Sequence, residues 1–160
     1  MVSSDTVSDD RAPERANWST YWYDGRIYGT EIVRGLDVLT LQPSEHLSEA
    51  EIAAAAMADQ GGTFNPQQQF PVSWPDHPVV ARAYVDQLAR SGALSSETVS
   101  ELTTALDQAA ARLDAQGADA QLAATLEGLA SDLAVEGNAV DEERGQALAE
   151  TLSGVAAALR

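Results

Sequence analysis

The stretch that decides the fold lies near the amino end, where residues 18–41 read WSTYWYDGRIYGTEIVRGLDVLTL. Asp24-Gly25 separates a run rich in tryptophan and tyrosine from a second β-forming run, and a two-residue Asp-Gly loop is the strongest short-range signal for a hairpin. After Gly35, residues 36–41 alternate with the two-residue period of a strand. The stretch therefore predicts a three-stranded antiparallel meander.

The residues after this meander predict a helix and then an extended segment. Ser48 and Glu51 have the spacing of a capping box, in which each side chain accepts a hydrogen bond from the other residue's backbone N–H. The predicted helix runs through Met57 and stops at the glycine pair of residues 61–62. Residues 63–78 hold four of the six prolines, which predicts an extended strap across the fold rather than a long regular element.

From Pro78 onward the sequence predicts four helices, each with a cap and one apolar stripe. They are expected to end near Gly92, Gly117, Gly137 and the carboxyl end, with the last one starting at Asp141. The stripes are Val80, Tyr84 and Leu88; Val99, Leu102, Leu106, Ala109 and Leu113; Leu122, Leu126, Leu129 and Leu133; and Leu148, Leu152, Val155 and Leu159.

The predicted fold class is therefore α+β, with a small meander, one helix and a Pro-rich strap, followed by a four-helix bundle-like domain. The expected organisation is a disordered leader at residues 1–17, the meander at 18–47, the helix and strap at 48–77, and the helical domain at 78–160.

The last two predicted helices are near copies of each other. Residues 122–133 (LAATLEGLASDL) match residues 148–159 (LAETLSGVAAAL) at a constant offset of 26. Two equivalent apolar faces predict ordinary core packing, and a groove for a partner helix would present the same anchor spacing. Gly128 and Gly154 would let another backbone approach closely.

The charge balance excludes several classes of partner. The formal net charge is −16, and all nine basic residues are arginine. Nucleic-acid binding needs a positive surface, so we expect none.

No apolar window approaches the roughly 20 residues that span a bilayer, so we expect no membrane insertion. Residues 1–17 are polar and acidic, unlike a signal peptide, and the absence of cysteine leaves the redox compartment open.

No residue pattern points to catalysis, a metal or a cofactor. His46 and His77 stand where loop and cap chemistry is the simpler interpretation. Asp141, Glu142 and Glu143 are adjacent, and neighbouring residues of a helix point in different directions. We therefore expect no catalytic residues, no metal ligands and no cofactor.

The aromatic cluster of the meander is the candidate binding site. Its five residues fall within eleven positions and comprise Trp18, Tyr21, Trp22, Tyr23 and Tyr28. Strand alternation predicts the two tryptophans on one face and Tyr21 and Tyr23 on the other. One face should pack in a core, and the other either covers the strap or binds a sugar or a partner protein.

The same region resembles the late strands of a blade in LVIVD-repeat β-propeller proteins. The resemblance rests on residues 27–31 (IYGTE), 33–38 (VRGLDV) and 41–44 (LQPS). Residues 47–52, Trp74-Pro75 and residues 80–88 are similar to the carboxyl-terminal tail of secreted bacterial members. A propeller needs at least about four blades of four strands, whereas this sequence supplies three strands. It is therefore either part of a longer protein or a blade fragment used as a standalone domain.

The resemblance implies a non-catalytic binding or scaffold role outside the cytoplasm or in the cell envelope. An accessory domain of an extracellular enzyme and a self-associating structural protein are the alternatives. A cytoplasmic location stays open, because residues 1–17 are not a signal peptide. We expect a protein partner or a homodimer through the meander edge, where residues 36–41 contain no proline and one charged residue, Asp37.

Overall fold

The computed structural model describes residues 2–3, 17–31, 35–59 and 72–160. It confirms the α+β class, with an antiparallel sheet followed by five helices. The chain forms two compact units, which comprise residues 1–72 and residues 73–160. The elements are β1 (Val2–Ser3), β2 (Asn17–Tyr23), β3 (Arg26–Glu31), β4 (Gly35–Leu41), α1 (Glu49–Ala56), α2 (Pro78–Ser91), α3 (Ser96–Asp114), α4 (Ala120–Ser131) and α5 (Ala139–Ala158).

The predicted meander is formed by β2, β3 and β4, which pair antiparallel in sequence order. Asp24 and Gly25 form the turn between β2 and β3 with φ angles of 49° and 72°. Positive φ at both positions is what a type I′ hairpin requires, and its twist matches that of the flanking strands. The Asp-Gly hairpin prediction is thus confirmed.

The strand β1 departs from the expected disordered leader. Residues 1–17 predict no regular structure, yet Val2 and Ser3 pair antiparallel with Leu41 and Thr40 of β4. The outer side of a strand presents backbone N–H and C=O groups that another segment can satisfy, and this pairing depends on no local sequence pattern. The edge predicted at residues 36–41 is therefore covered at two of its positions. Residues 4–16 lie outside the described part of the chain.

The helix after the meander begins as predicted. The Ser48 hydroxyl accepts a hydrogen bond from the Glu51 N–H at 3.1 Å, and the Glu51 carboxylate accepts one from the Ser48 N–H at 2.7 Å. Helix α1 ends at Ala56, earlier than the predicted stop at the glycine pair of residues 61–62, and residues 57–59 are not helical. Most of the predicted strap, residues 63–71, lies outside the described residues.

The helical unit closes around one core. Helix α2 packs on α3 and α5, α4 packs extensively on α5, and α3 and α4 share a smaller contact. All four predicted stripes face the core, and the largest fully buried side chains are Val85, Leu88, Leu102, Leu126, Leu148, Leu152, Val155 and Leu159. None of the described helices is long and apolar enough to cross a lipid bilayer.

Two predicted helix ends are wrong, at the junction of α4 and α5. Helix α4 ends at Ser131 rather than near Gly137, because tertiary contacts hold the following segment. The Glu136 N–H donates to the Ala93 carbonyl at 3.0 Å. Val135 packs against Gly145, since a β-carbon added to Gly145 would lie 2.5 Å from Cγ2 of Val135. Helix α5 then begins at Ala139, with Asn138 as its cap.

Candidate functional site

The register of the sheet decides which aromatic side chains share a face. Tyr21 lies opposite Tyr28, and Tyr28 lies opposite Val38 on the next strand. Since residues directly opposite each other point to the same face, these three form one row across the sheet. Tyr23 and Leu36 belong to the same face by alternation. We call these five residues the aromatic face.

Most of the aromatic face is open to solvent. The exposed fractions are 37% for Tyr21, 46% for Tyr23, 58% for Leu36 and 46% for Val38. Tyr28 is half-buried, as expected for the middle strand of three. Beside the row, the hydroxyl groups of Ser19 and Thr30 lie 2.9 Å apart and hydrogen bond across β2 and β3. The surface therefore combines large apolar side chains with phenol and hydroxyl groups.

The opposite face of the sheet is more covered. Trp22, Ile27 and Leu39 are half-buried there, and Gly29 is buried. Helix α1 approaches the hairpin turn, where a β-carbon on Gly25 would lie 3.5 Å from the Ala56 β-carbon. The unit thus has one packed face and one exposed face.

The predicted binding residues are therefore split by the sheet. Tyr21, Tyr23 and Tyr28 come together, while Trp22 points to the packed face, as alternation predicts. The side chain of Trp18 lies outside the described part, and the register of β2 shifts between Asn17 and Ser19, so alternation does not extend through it. The prediction omitted Leu36 and Val38, although their two-residue alternation is visible in the sequence.

One of the two histidines caps a helix, as the sequence predicts, and the other lies in an exposed turn. His77 caps α2 through its Nδ1, which accepts a hydrogen bond from the Val79 N–H at 3.2 Å. His46 lies in an exposed turn with its Nε2 3.3 Å from a carboxylate oxygen of Glu45. Within the described ranges, no three His, Asp or Glu side chains come together as they would around a metal ion.

One tyrosine of the helical unit is electrostatically perturbed. Tyr84 on α2 is half-buried, and this burial raises the pKa of its hydroxyl above the usual 10.0. The carboxylates of Glu143 and Glu150 on α5 raise the pKa further, because they repel a phenolate. The neutral phenol is thereby favoured, which does not make Tyr84 a nucleophile or a base.

The described part of the chain thus comprises a sheet unit with one exposed aromatic face and a helical unit whose four helices have capped amino ends. The FIMAH domain family matches residues 80–156 of this chain. The match covers just under half of the chain and falls within the helical unit, leaving the sheet outside it. No curated protein and no solved structure gives a significant match.

Proposed function

We propose that this chain is a non-catalytic binding or scaffold module, and that the aromatic face of its sheet unit contacts a partner protein. The observation that carries the proposal is the exposure of four large apolar side chains on one face of one small sheet. Contiguous apolar patches on soluble proteins mark interaction sites, since their exposure to water is unfavourable.

The composition of the face favours a protein as the partner. Tyrosine is enriched at protein interfaces, because it offers a large apolar ring and a hydroxyl while losing little side-chain entropy. Leu36 and Val38 add aliphatic surface to this face. A sugar would use the flat faces of the aromatic rings and gain less from two branched aliphatic neighbours.

The proposed role agrees with the resemblance to the carboxyl-terminal region of secreted propeller proteins. In a propeller, the faces of each blade pack against neighbouring blades, and an isolated blade-like sheet leaves such a face exposed. The proposed setting is therefore outside the cytoplasm or in the cell envelope. Fractionation of the cells that make the protein tests this part of the proposal.

Self-association through the sheet is the second candidate. Strand β4 has β1 alongside it at Thr40 and Leu41, and β1 has two residues. A longer strand from a second copy would pair in the same antiparallel sense and extend the sheet.

Site-specific photocrosslinking separates these candidates. A photoreactive phenylalanine replaces Tyr21 or Val38 in the full chain, and the matched control carries it at Thr20, which is exposed but points to the other face. We expect a discrete adduct from positions 21 and 38 in cells that make the protein, and none from position 20. An adduct at twice the 16.9 kDa chain mass would favour self-association. No adduct from either face position would contradict the proposal.

A further inference from the structure

The two helices that carry the repeated segment, α4 and α5, differ in what lies against their glycines. A β-carbon added to Gly154 of α5 would lie 2.1 Å from Cγ and 2.5 Å from Cβ of Asp76, so packing within the chain excludes a side chain there. At Gly128, the equivalent position of α4, an added β-carbon would meet no described atom within 4 Å. Glycine inside a helix is less favourable than alanine, and no described contact explains it at this position.

Gly128 lies on the wall of an open groove between α3 and α4. The groove has a volume of about 760 Å³, and these two helices contact each other less extensively than α4 contacts α5 or α2 contacts α3 and α5. Its floor includes Ala105 and Leu122, which are buried. The walls are polar, with Ser100, Thr104 and Gln108 on α3 and Gln121 and Thr125 on α4.

The walls offer more hydrogen-bond acceptors than donors. The Thr104 hydroxyl donates to the Ser100 carbonyl at 2.9 Å, and the Thr125 hydroxyl donates to the Gln121 carbonyl at 3.0 Å. Both hydroxyl protons are therefore used inside the helices, and the oxygens keep lone pairs for a ligand. The carboxylate of Glu101 also lines the groove, and it makes no ion pair with any described residue.

The charge of the helical unit favours a basic occupant over a second copy. Residues 73–160 contain 14 acidic residues and 5 arginines, a net charge of −9. Two such units would repel each other, whereas a cationic segment would be attracted to the groove.

We propose that the groove between α3 and α4 binds a basic amphipathic peptide segment of a partner protein. Apolar side chains of the segment lie on Ala105 and Leu122, its backbone passes close to Gly128, and its Lys or Arg side chains donate to the walls and to Glu101. This site goes beyond the aromatic face and belongs to the other unit, so either proposal survives the failure of the other.

Fluorescence anisotropy with the full chain tests this site. The probe is a labelled Leu/Lys peptide with leucines at the i, i+3, i+4 spacing of one helix face, and its control replaces every Lys with Glu. Gly128→Leu fills the groove at a position with open space around it. Ala124→Leu is the matched control, since Ala124 is exposed on the same helix and does not line the groove.

We expect saturable binding of the Leu/Lys peptide and none of the Leu/Glu peptide. Gly128→Leu should weaken the binding by about tenfold or more, because the new side chain occupies the space of the segment. Glu101→Gln should weaken it by about threefold, the size typical of one exposed ion pair, and Ala124→Leu should leave it unchanged. Equal binding by the Gly128→Leu variant, or no binding at about 1 mM peptide, would overturn the proposal.

Discussion

At the scale of single residues, the two glycines of the repeat predict opposite responses to the same substitution. Gly154→Ala forces a β-carbon against Asp76, and overpacking of this kind costs about 1–3 kcal/mol. Gly128→Ala meets open space and removes the entropic disadvantage of glycine, so it should stabilise the unit by about 0.5–1 kcal/mol. Urea denaturation of both variants measures the two free energies of unfolding.

The two variants serve as controls for each other, since they make one change in equivalent helices. Equal effects of both substitutions would mean that the contact between Asp76 and Gly154 does not determine how Gly154→Ala changes the free energy of unfolding. A loss of stability in Gly128→Ala would indicate that the open space beside α4 is filled in solution.

Tyr84 predicts a stability loss at alkaline pH. Its pKa is raised in the folded protein, first by burial and then by Glu143 and Glu150, while the unfolded chain ionises near pH 10.0. The neutral phenol therefore contributes fully to the free energy of unfolding below pH 10.0, and this contribution is lost as the pH rises toward the pKa of Tyr84 in the folded protein.

The measurement compares the free energy of unfolding at about pH 8 and about pH 10.5, on either side of the usual tyrosine pKa. The decrease should be smaller in Tyr84→Phe than in the wild type, with Tyr21→Phe in the other unit as a control. An identical decrease in wild type and Tyr84→Phe would exclude this linkage.

At the scale of elements, the start of α5 depends on a reciprocal cap. The Asn138 side chain accepts hydrogen bonds from the N–H groups of Val140 and Asp141, and the Asp141 carboxylate accepts one from the Asn138 N–H at 3.2 Å. Asp141 is 3% exposed, and Arg144 lies 3.5 Å from its other oxygen.

Asn138→Ala should therefore cost about 1 kcal/mol of stability in the helical unit, the usual loss for a removed cap. Ser48→Ala removes the comparable cap of α1 in the sheet unit and should leave the helical transition unchanged. Thermal melting followed by circular dichroism at the helical signal distinguishes the two. A helical transition that responds to Ser48→Ala as strongly as to Asn138→Ala would contradict this assignment.

The helices and strands also show which structural features can be predicted from the sequence. The capping box at Ser48, the cap at His77 and the Asp24-Gly25 turn were predicted correctly, because each depends on residues within one turn of chain. The segment after α4 is held by a long-range hydrogen bond from the Glu136 N–H to the Ala93 carbonyl, and the local sequence does not predict this contact or the helix end at Ser131. The pairing of β1 with β4 is likewise long-range.

In the candidate sites, too, features that depend on one segment of the chain were predicted, and features that depend on two distant segments were not. Alternation along β2 correctly separated Tyr21 and Tyr23 from Trp22. The inclusion of Val38 required the register of two strand pairs, which no single strand encodes. The groove beside Gly128 lies between two helices, and their spacing cannot be predicted from the sequence of either one. The sequence repeat therefore identified Gly128 but did not predict the open space next to it.

At the scale of the whole molecule, acidic charge dominates. The formal net charge is −16, with 25 acidic and 9 basic residues. In the helical unit, Arg82, Arg112, Arg144 and Arg160 each pair with one carboxylate, of Asp107, Asp119, Asp141 and Glu127 respectively. The acidic residues of this unit outnumber its arginines by 14 to 5, so repulsion among carboxylates opposes compaction.

Salt should therefore stabilise the protein. The Debye length falls from about 10 Å at 0.1 M to about 3 Å at 1 M, which screens repulsion across the molecule more than it weakens ion pairs at 4 Å or less. We expect a higher Tm in about 1 M than in about 0.02 M sodium chloride at neutral pH. Near the isoelectric pH of about 4.1 the net charge vanishes, and the same salt step should have a smaller effect. A Tm that falls with salt at neutral pH would mean that ion pairs contribute more to stability than repulsion among the carboxylates removes.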